Sequence, residues 1–163
     1  MTSVDHHRPT ADPDGGSTRL VVPVPELAHL VGGAHIALLD PFLATAEVDE
    51  GVVGELREIL AEVVPFAFVL GPAVRFPTGA AYLPPQPSGV FRRITHSVRR
   101  AFPEVTGYPH SLHGSIPHLS LDEDVVDAVP TPLEVHARKA VLLAGTSEQL
   151  RVLATFRFGT SAA

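Results

Sequence analysis

The chain has 163 residues, enough for one domain with a real interior. Twelve basic and eighteen acidic residues give a formal net charge of -6, so the broad basic face of an extended RNA or DNA partner is not expected, while a nucleotide-sized ligand stays open. Cysteine is absent, which excludes disulfides, zinc-thiolate sites and a cysteine nucleophile. No run is long and apolar enough to span a membrane, and the polar start MTSVDHHRPTADPDGGST lacks an apolar signal core, so a cytoplasmic location is expected.

Taken in chain order, residues 1–17 have almost nothing to bury and read as a disordered tail, with His6 and His7 solvated in it. A single domain is expected over 18–160. RLVVPVPE (19–26) is a short strand in which Pro23 and Pro25 suggest an edge or a strand end. AHIALLDPF (34–42) is a second strand. Asp49 is placed to cap a helix over 50–63, where Val52, Val53, Leu56, Ile59, Leu60 and Val63 recur at helical spacing. FAFVLGPAVRF (66–76) is strand-like, with a Gly-Pro interruption that suggests a bulge or bend, and AAYLPP (80–85) is its short hairpin partner. Ser88 would cap a second helix over 89–102, apolar at Val90, Phe91, Ile94, Val98, Ala101 and Phe102. Its other faces carry Arg92, Arg93, His96, Arg99 and Arg100, a solvated set rather than an RNA track. A loop over 103–116 leads to PHLSL. EVHARKAVLLA (134–144) and LRVLATFRF (150–158) form a closing hairpin around Gly145-Thr146-Ser147. Short hairpin connections favour antiparallel pairing, so the class is α+β rather than a doubly wound parallel sheet. Phe66, Phe68, Phe76, Phe156 and Phe158 read as core.

Two strands repeat one pattern. In PHLSL, His118 and Ser120 share a face while Leu119 and Leu121 pack the other way; in HIALL, His35 and Ala37 share a face while Ile36 and Leu38 pack inward. Two histidines facing across a cleft suit proton transfer in both directions, because imidazole titrates near working pH. A hydroxyl two residues beyond the histidine can donate to a phosphoryl oxygen, a contact worth roughly 1.5–3 kcal/mol in a shielded site. Arg75 and Tyr82 on the central hairpin, and His110 and His113 in the loop before the second motif, are candidates for the cleft or its mouth. His110, His113 and His118 lie close together, but no carboxylate ligand stands near them, so no metal site is expected.

These residues carry a resemblance. His35-Ile36-Ala37-Leu38-Leu39-Asp40-Pro41-Phe42 and Pro117-His118-Leu119-Ser120-Leu121 resemble the two His-x-Thr/Ser-x motifs of the two-histidine (2H) phosphoesterase superfamily, specifically the bacterial proteins called the 2′-5′ RNA ligase family. LVVPVPE, RFPTGAAYLPPQP and the arginine-bearing helix before the second motif are similar too, and the likeness runs over roughly 19–158. It implies a bilobal α+β fold with pseudo-twofold symmetry, in which antiparallel sheets line a central cleft and helices lie outside. It implies metal- and cofactor-independent chemistry on a small-molecule or nucleotide substrate: opening of a cyclic phosphate, or transfer of a 2′-5′ phosphodiester. His35 and His118 would be the acid/base pair and Ser120 a phosphate donor, with Ala37, Asp40, Phe42, Arg75, Tyr82, His110 and His113 around the substrate.

Two positions depart from the motif. Ala37 stands at the first Thr/Ser position, and Asp40 stands where an aromatic residue is common. Loss of one donor would cost roughly tenfold to a thousandfold in rate, and an added acid opposes an anionic ligand. These departures define an alternative, in which the fold binds or transforms a neutral apolar metabolite as a cyclase or isomerase of a biosynthetic pathway. A non-catalytic binding module is a third reading. The oligomeric state is not legible.

Overall fold

A computed structural model describes residues 16–105, 116–146 and 149–160. The expected tail falls almost wholly in residues 1–15, and His110 and His113 in 106–115, outside the described residues.

Among the described residues ten strands and two α-helices follow in order: β1 (Thr18–Pro23), β2 (His35–Leu39), α1 (Glu50–Ala61), β3 (Phe66–Leu70), β4 (Val74–Arg75), β5 (Ala81–Leu83), β6 (Pro85–Gln86), α2 (Gly89–Ala101), β7 (Leu119–Leu121), β8 (Leu133–Ala137), β9 (Lys139–Thr146) and β10 (Gln149–Arg157). All pairings are antiparallel, and the class is α+β as the sequence predicts. The first lobe holds a four-stranded sheet ordered β10-β9-β1-β2. The second holds two three-stranded sheets, β6-β3-β8 and β4-β5-β7. β2 and β7 are edge strands of different sheets and approach each other without pairing.

Local chemistry explains most boundaries. α1 begins where the Asp49 carboxylate accepts the Val52 amide at 2.9 Å. At α2 the expected cap differs: Ser88 makes no side-chain cap bond, and its hydroxyl instead accepts from Arg92 at 3.1 Å. The Gly71-Pro72 interruption is a break. β3 pairs with β6 and β8, whereas β4 pairs with β5 in another sheet, and Pro84 interrupts the partner strand at the matching place. The run 134–144, expected as one strand, also divides. Arg138 separates β8, which pairs with β3, from β9, which pairs with β1 and β10, and its carbonyl accepts the Phe158 amide at 2.9 Å. A continuous apolar pattern therefore serves two sheets, and period-two alternation cannot reveal the switch.

The core lies between sheets and helices. Leu20, Val22, Ile36, Leu142 and Phe156 from the first sheet are fully buried, as are Leu56 and Leu60 of α1. The α1 side chain Arg57 donates to the Thr155 carbonyl at 3.1 Å and lies 5.2 Å from the Phe156 ring centroid. α2 seats Phe91 edge-on against Phe68, with centroids 5.0 Å apart, and Thr95 donates to the Leu38 carbonyl at 3.0 Å. Both helices thus cover the core faces and leave the other sheet faces open. The exposed Arg92, Arg93, Arg99 and Arg100 ride on α2.

Candidate active site

The open face of the first sheet is set by alternation. Arg19, Val21 and Pro23 of β1 face the same way, in register with the end of β2, Ala37 and His35. Val21 and Val141, cross-strand partners, are shielded yet lie outside the main core cluster, so they form an apolar floor beside His35. A bulge shapes the far end. Leu20 pairs with Leu39 and Val21 with Ala37, which leaves Leu38 as the extra residue. Leu38 and Leu39 both enter the core, and the phase then flips. Strict alternation would send Asp40 to the core side; the bulge brings it round to Arg19. Arg19 Nε and Asp40 Oδ2 are 3.7 Å apart, with both side chains about three-quarters shielded at 24% and 22% exposure.

The second lobe presents its own open face. Val74, Tyr82 and Ser120 are cross-strand neighbours, and His118 precedes Ser120 by two residues on that face. Phe76 stacks on Tyr82 with centroids 4.0 Å apart, and the two rings meet His118 edge-on at 5.1 and 5.8 Å. Phe76 is buried, as expected of a core residue, and packs in this aromatic stack beside the main core cluster.

The two histidines are held by one device. His35 Nδ1 lies 2.6 Å from the Gly33 carbonyl, and His118 Nδ1 lies 2.5 Å from the Ile116 carbonyl. In each case the partner is the carbonyl two residues upstream. A carbonyl only accepts, so Nδ1 carries a proton in both rings, and each neutral ring has its lone pair on Nε2. Each ring is therefore oriented with its reactive nitrogen away from its own backbone. Gly33 reaches this arrangement with φ +69°, a backbone state that glycine adopts cheaply; the second copy uses Ile116 and the buried Pro117.

Burial pushes the His35 imidazole below its ordinary value of 6.5. The Gly33 carbonyl works against that shift, Arg19 adds to it, Asp40 opposes it, and His118 lowers it further. The histidines are thus close enough for the charge of one to bear on the other.

His35, His118, Ala37, Ser120, Tyr82 and Asp40 all fall on the open faces of the two lobes. Two candidates are turned away. Phe42 is buried in the core, edge-on to Phe102 with centroids 5.2 Å apart. Arg75 alternates with Val74 onto the reverse face of β4, where it makes two hydrogen bonds to the Glu123 carboxylate, one of them 3.1 Å, and a 2.8 Å bond to the Gly79 carbonyl. That pairing raises the Arg75 guanidinium's proton affinity and holds the Glu123 carboxyl below its usual range. Among the described residues no group of three or more His, Asp or Glu side chains is arranged to hold a metal, and no helix is long and apolar enough to cross a membrane. The sequence reading did not single out Arg19, which lies on the same face of β1 as Val21. The bulge that brings Asp40 to it has no sequence mark.

The fold is that of LigT-like 2H phosphoesterases. The crystal structure of a phosphoesterase superposes with a TM-score of 0.59 at 17% identity, covering 88% of this chain and 98% of that one. E. coli LigT complexed with 3′-AMP gives 0.58 at 17% identity over 88% and 98%. TT0787 of Thermus thermophilus gives 0.61 at 17% identity over 90% and 100%. The chain belongs to the 2′-5′ RNA ligase superfamily, whose family model matches residues 24–153. No curated protein matches it.

Proposed function

We propose that the protein is a 2H-type phosphoesterase that hydrolyses a small cyclic phosphate or a 2′-5′ phosphodiester by acid-base catalysis between His35 and His118. The observation that carries this reading is the matched pair of Nδ1 bonds to the Gly33 and Ile116 carbonyls, which leaves two oriented Nε2 atoms on facing strands. Membership of the superfamily and the small ligands of its structural neighbours, 3′-AMP, NADP+ and ATP on E. coli LigT, support the substrate class.

His35 is the base. Its depressed proton affinity keeps Nε2 unprotonated near neutrality, so it can take a proton from water. The water oxygen then forms a bond to phosphorus as the bond from phosphorus to the leaving oxygen breaks. His118, in the role of acid, gives a proton from Nε2 to that oxygen. Its Nδ1–H stays on the Ile116 carbonyl throughout, so the ring need not turn. Ser120 lies two residues along the same face and donates to a non-bridging oxygen. The test is release of a nucleoside monophosphate from 2′,3′-cyclic nucleotides; unchanged turnover in His35→Ala and His118→Ala would sink the mechanism.

One observation favours a second reading, a neutral apolar substrate. Ala37, Val21 and Val141 give the His35 side an apolar floor, and Val74 and Val152 are exposed at 42% and 61%. A thermal-shift comparison separates the two, since stabilisation by nucleoside phosphates counts against the neutral substrate.

A further inference from the structure

We infer that Arg19, held by Asp40, is the anion-binding residue of the His35 lobe and takes the role that a hydroxyl at position 37 would fill. This deepens the phosphoesterase reading and rests on it.

The geometry comes first. Arg19 projects from β1 on the open face, two residues from Val21, and Val21 is the cross-strand partner of Ala37. An arginine side chain spans the distance of a diagonal neighbour on a sheet. The guanidinium is anchored at its Nε edge by Asp40 at 3.7 Å, a contact that the Leu38 bulge makes possible. A guanidinium offers a planar fork that matches two phosphoryl oxygens, a stronger anchor than the single O–H of threonine. Asp40 thus has a physical role: it reduces the cost of keeping a cation that is about three-quarters shielded in place while no anion is bound.

The charges around His35 agree. From β1 it meets Arg19, from just after β2 Asp40, and from just before β7 His118; Arg19 lowers its proton affinity more than Asp40 raises it. The cationic end of the pair is therefore the one His35 senses. An anion bound on Arg19 would sit beside the base and would partly cancel that influence.

The experiment measures inorganic phosphate binding by calorimetry, together with NMR titration of the His35 ring, in the wild type, Arg19→Ala and Arg19→Lys. Turnover of 2′,3′-cyclic nucleotides is followed in parallel. Loss of one charge-assisted anchor is expected to weaken phosphate by about ten- to a hundredfold in Arg19→Ala, and Arg19→Lys should recover part of it. His35 should titrate at higher pH in Arg19→Ala, and the acidic limb of kcat/KM should move up with it, shifts that a merely structural role would not produce. No phosphate binding by the wild type, or equal affinity and equal His35 titration in Arg19→Ala, overturns the inference. If Arg19→Ala misfolds, phosphate affinity and His35 titration equal to wild type in the charge-removing Arg19→Gln overturn it. Phosphate binding that depends on Arg19, with no turnover of any phosphoester, would leave the inference standing and remove the proposed reaction.

Discussion

The two motif lobes solve one problem with different materials. Each pins a histidine by its Nδ1 to the carbonyl two residues upstream, but one builds that turn from Gly33 and Ala34 and the other from Ile116 and Pro117. Around the ring the lobes diverge. His35 stands with Arg19, Asp40 and an apolar floor; His118 stands against the edges of Phe76 and Tyr82 with Ser120 on its face. The orientation of the imidazole is common to both lobes, while the group that would meet an anion differs. It is a fixed charge in one and a hydroxyl in the other. A lost hydroxyl at position 37 is therefore not by itself a lost site.

The comparison can be broken most forcefully at the histidines. His35→Ala and His118→Ala should each lower kcat/KM on a turned-over cyclic nucleotide by about a hundredfold to ten-thousandfold. The double variant should lose little more than either alone, because the pair acts as a unit. Full additivity would mean that the rings work independently. In the second lobe, Phe76→Ala removes the ring stacked on Tyr82 at 4.0 Å and should cost about 3 kcal/mol in denaturant unfolding. A cost below about 1 kcal/mol would show that the Phe76–Tyr82 stack contributes little to the stability of this lobe.

In the first lobe, Gly33→Ala places a Cβ at φ +69°. It should cost about 1–2 kcal/mol and reduce activity through a displaced His35, with no effect of similar size from Ala34→Gly. The smallest effect concerns pH. The unfolded chain binds a proton at His35 more readily than the folded one, whose value lies below 6.5. Stability from this group is therefore fully present above 6.5 and is lost as pH falls from 6.5 through the folded value. His35→Gln should flatten that part of the stability curve; an unchanged slope would place the titration elsewhere.

Much of this was legible in the sequence because it rests on short-range chemistry. Helical spacing and the Asp49 cap locate α1, and the Gly71-Pro72 break marks the end of β3. The two His-x-small-Leu strands reveal themselves by repetition, since alternation fixes which side chains share a face. What stayed hidden depends on partners chosen elsewhere in the chain. The division of 134–144 at Arg138 reflects two sheets competing for one apolar run. Phe42 and Arg75 satisfy a motif or a hairpin reading equally well whether they face the cleft or away from it; packing against Phe102 and pairing with Glu123 decide. The Leu38 bulge adds one unpaired residue, which no periodicity detects, and it turns Asp40 into the partner of Arg19.

The central claim is that both rings are fixed as Nδ1–H tautomers with reactive Nε2 atoms, and that burial lowers the proton affinity of His35. Long-range proton–nitrogen NMR of the histidine rings across a pH titration tests it most directly. Nδ1–H signatures are expected for neutral His35 and His118, with His35 titrating below 6.5. An Nε2–H tautomer at either ring, or His35 titrating above 6.5, would contradict it.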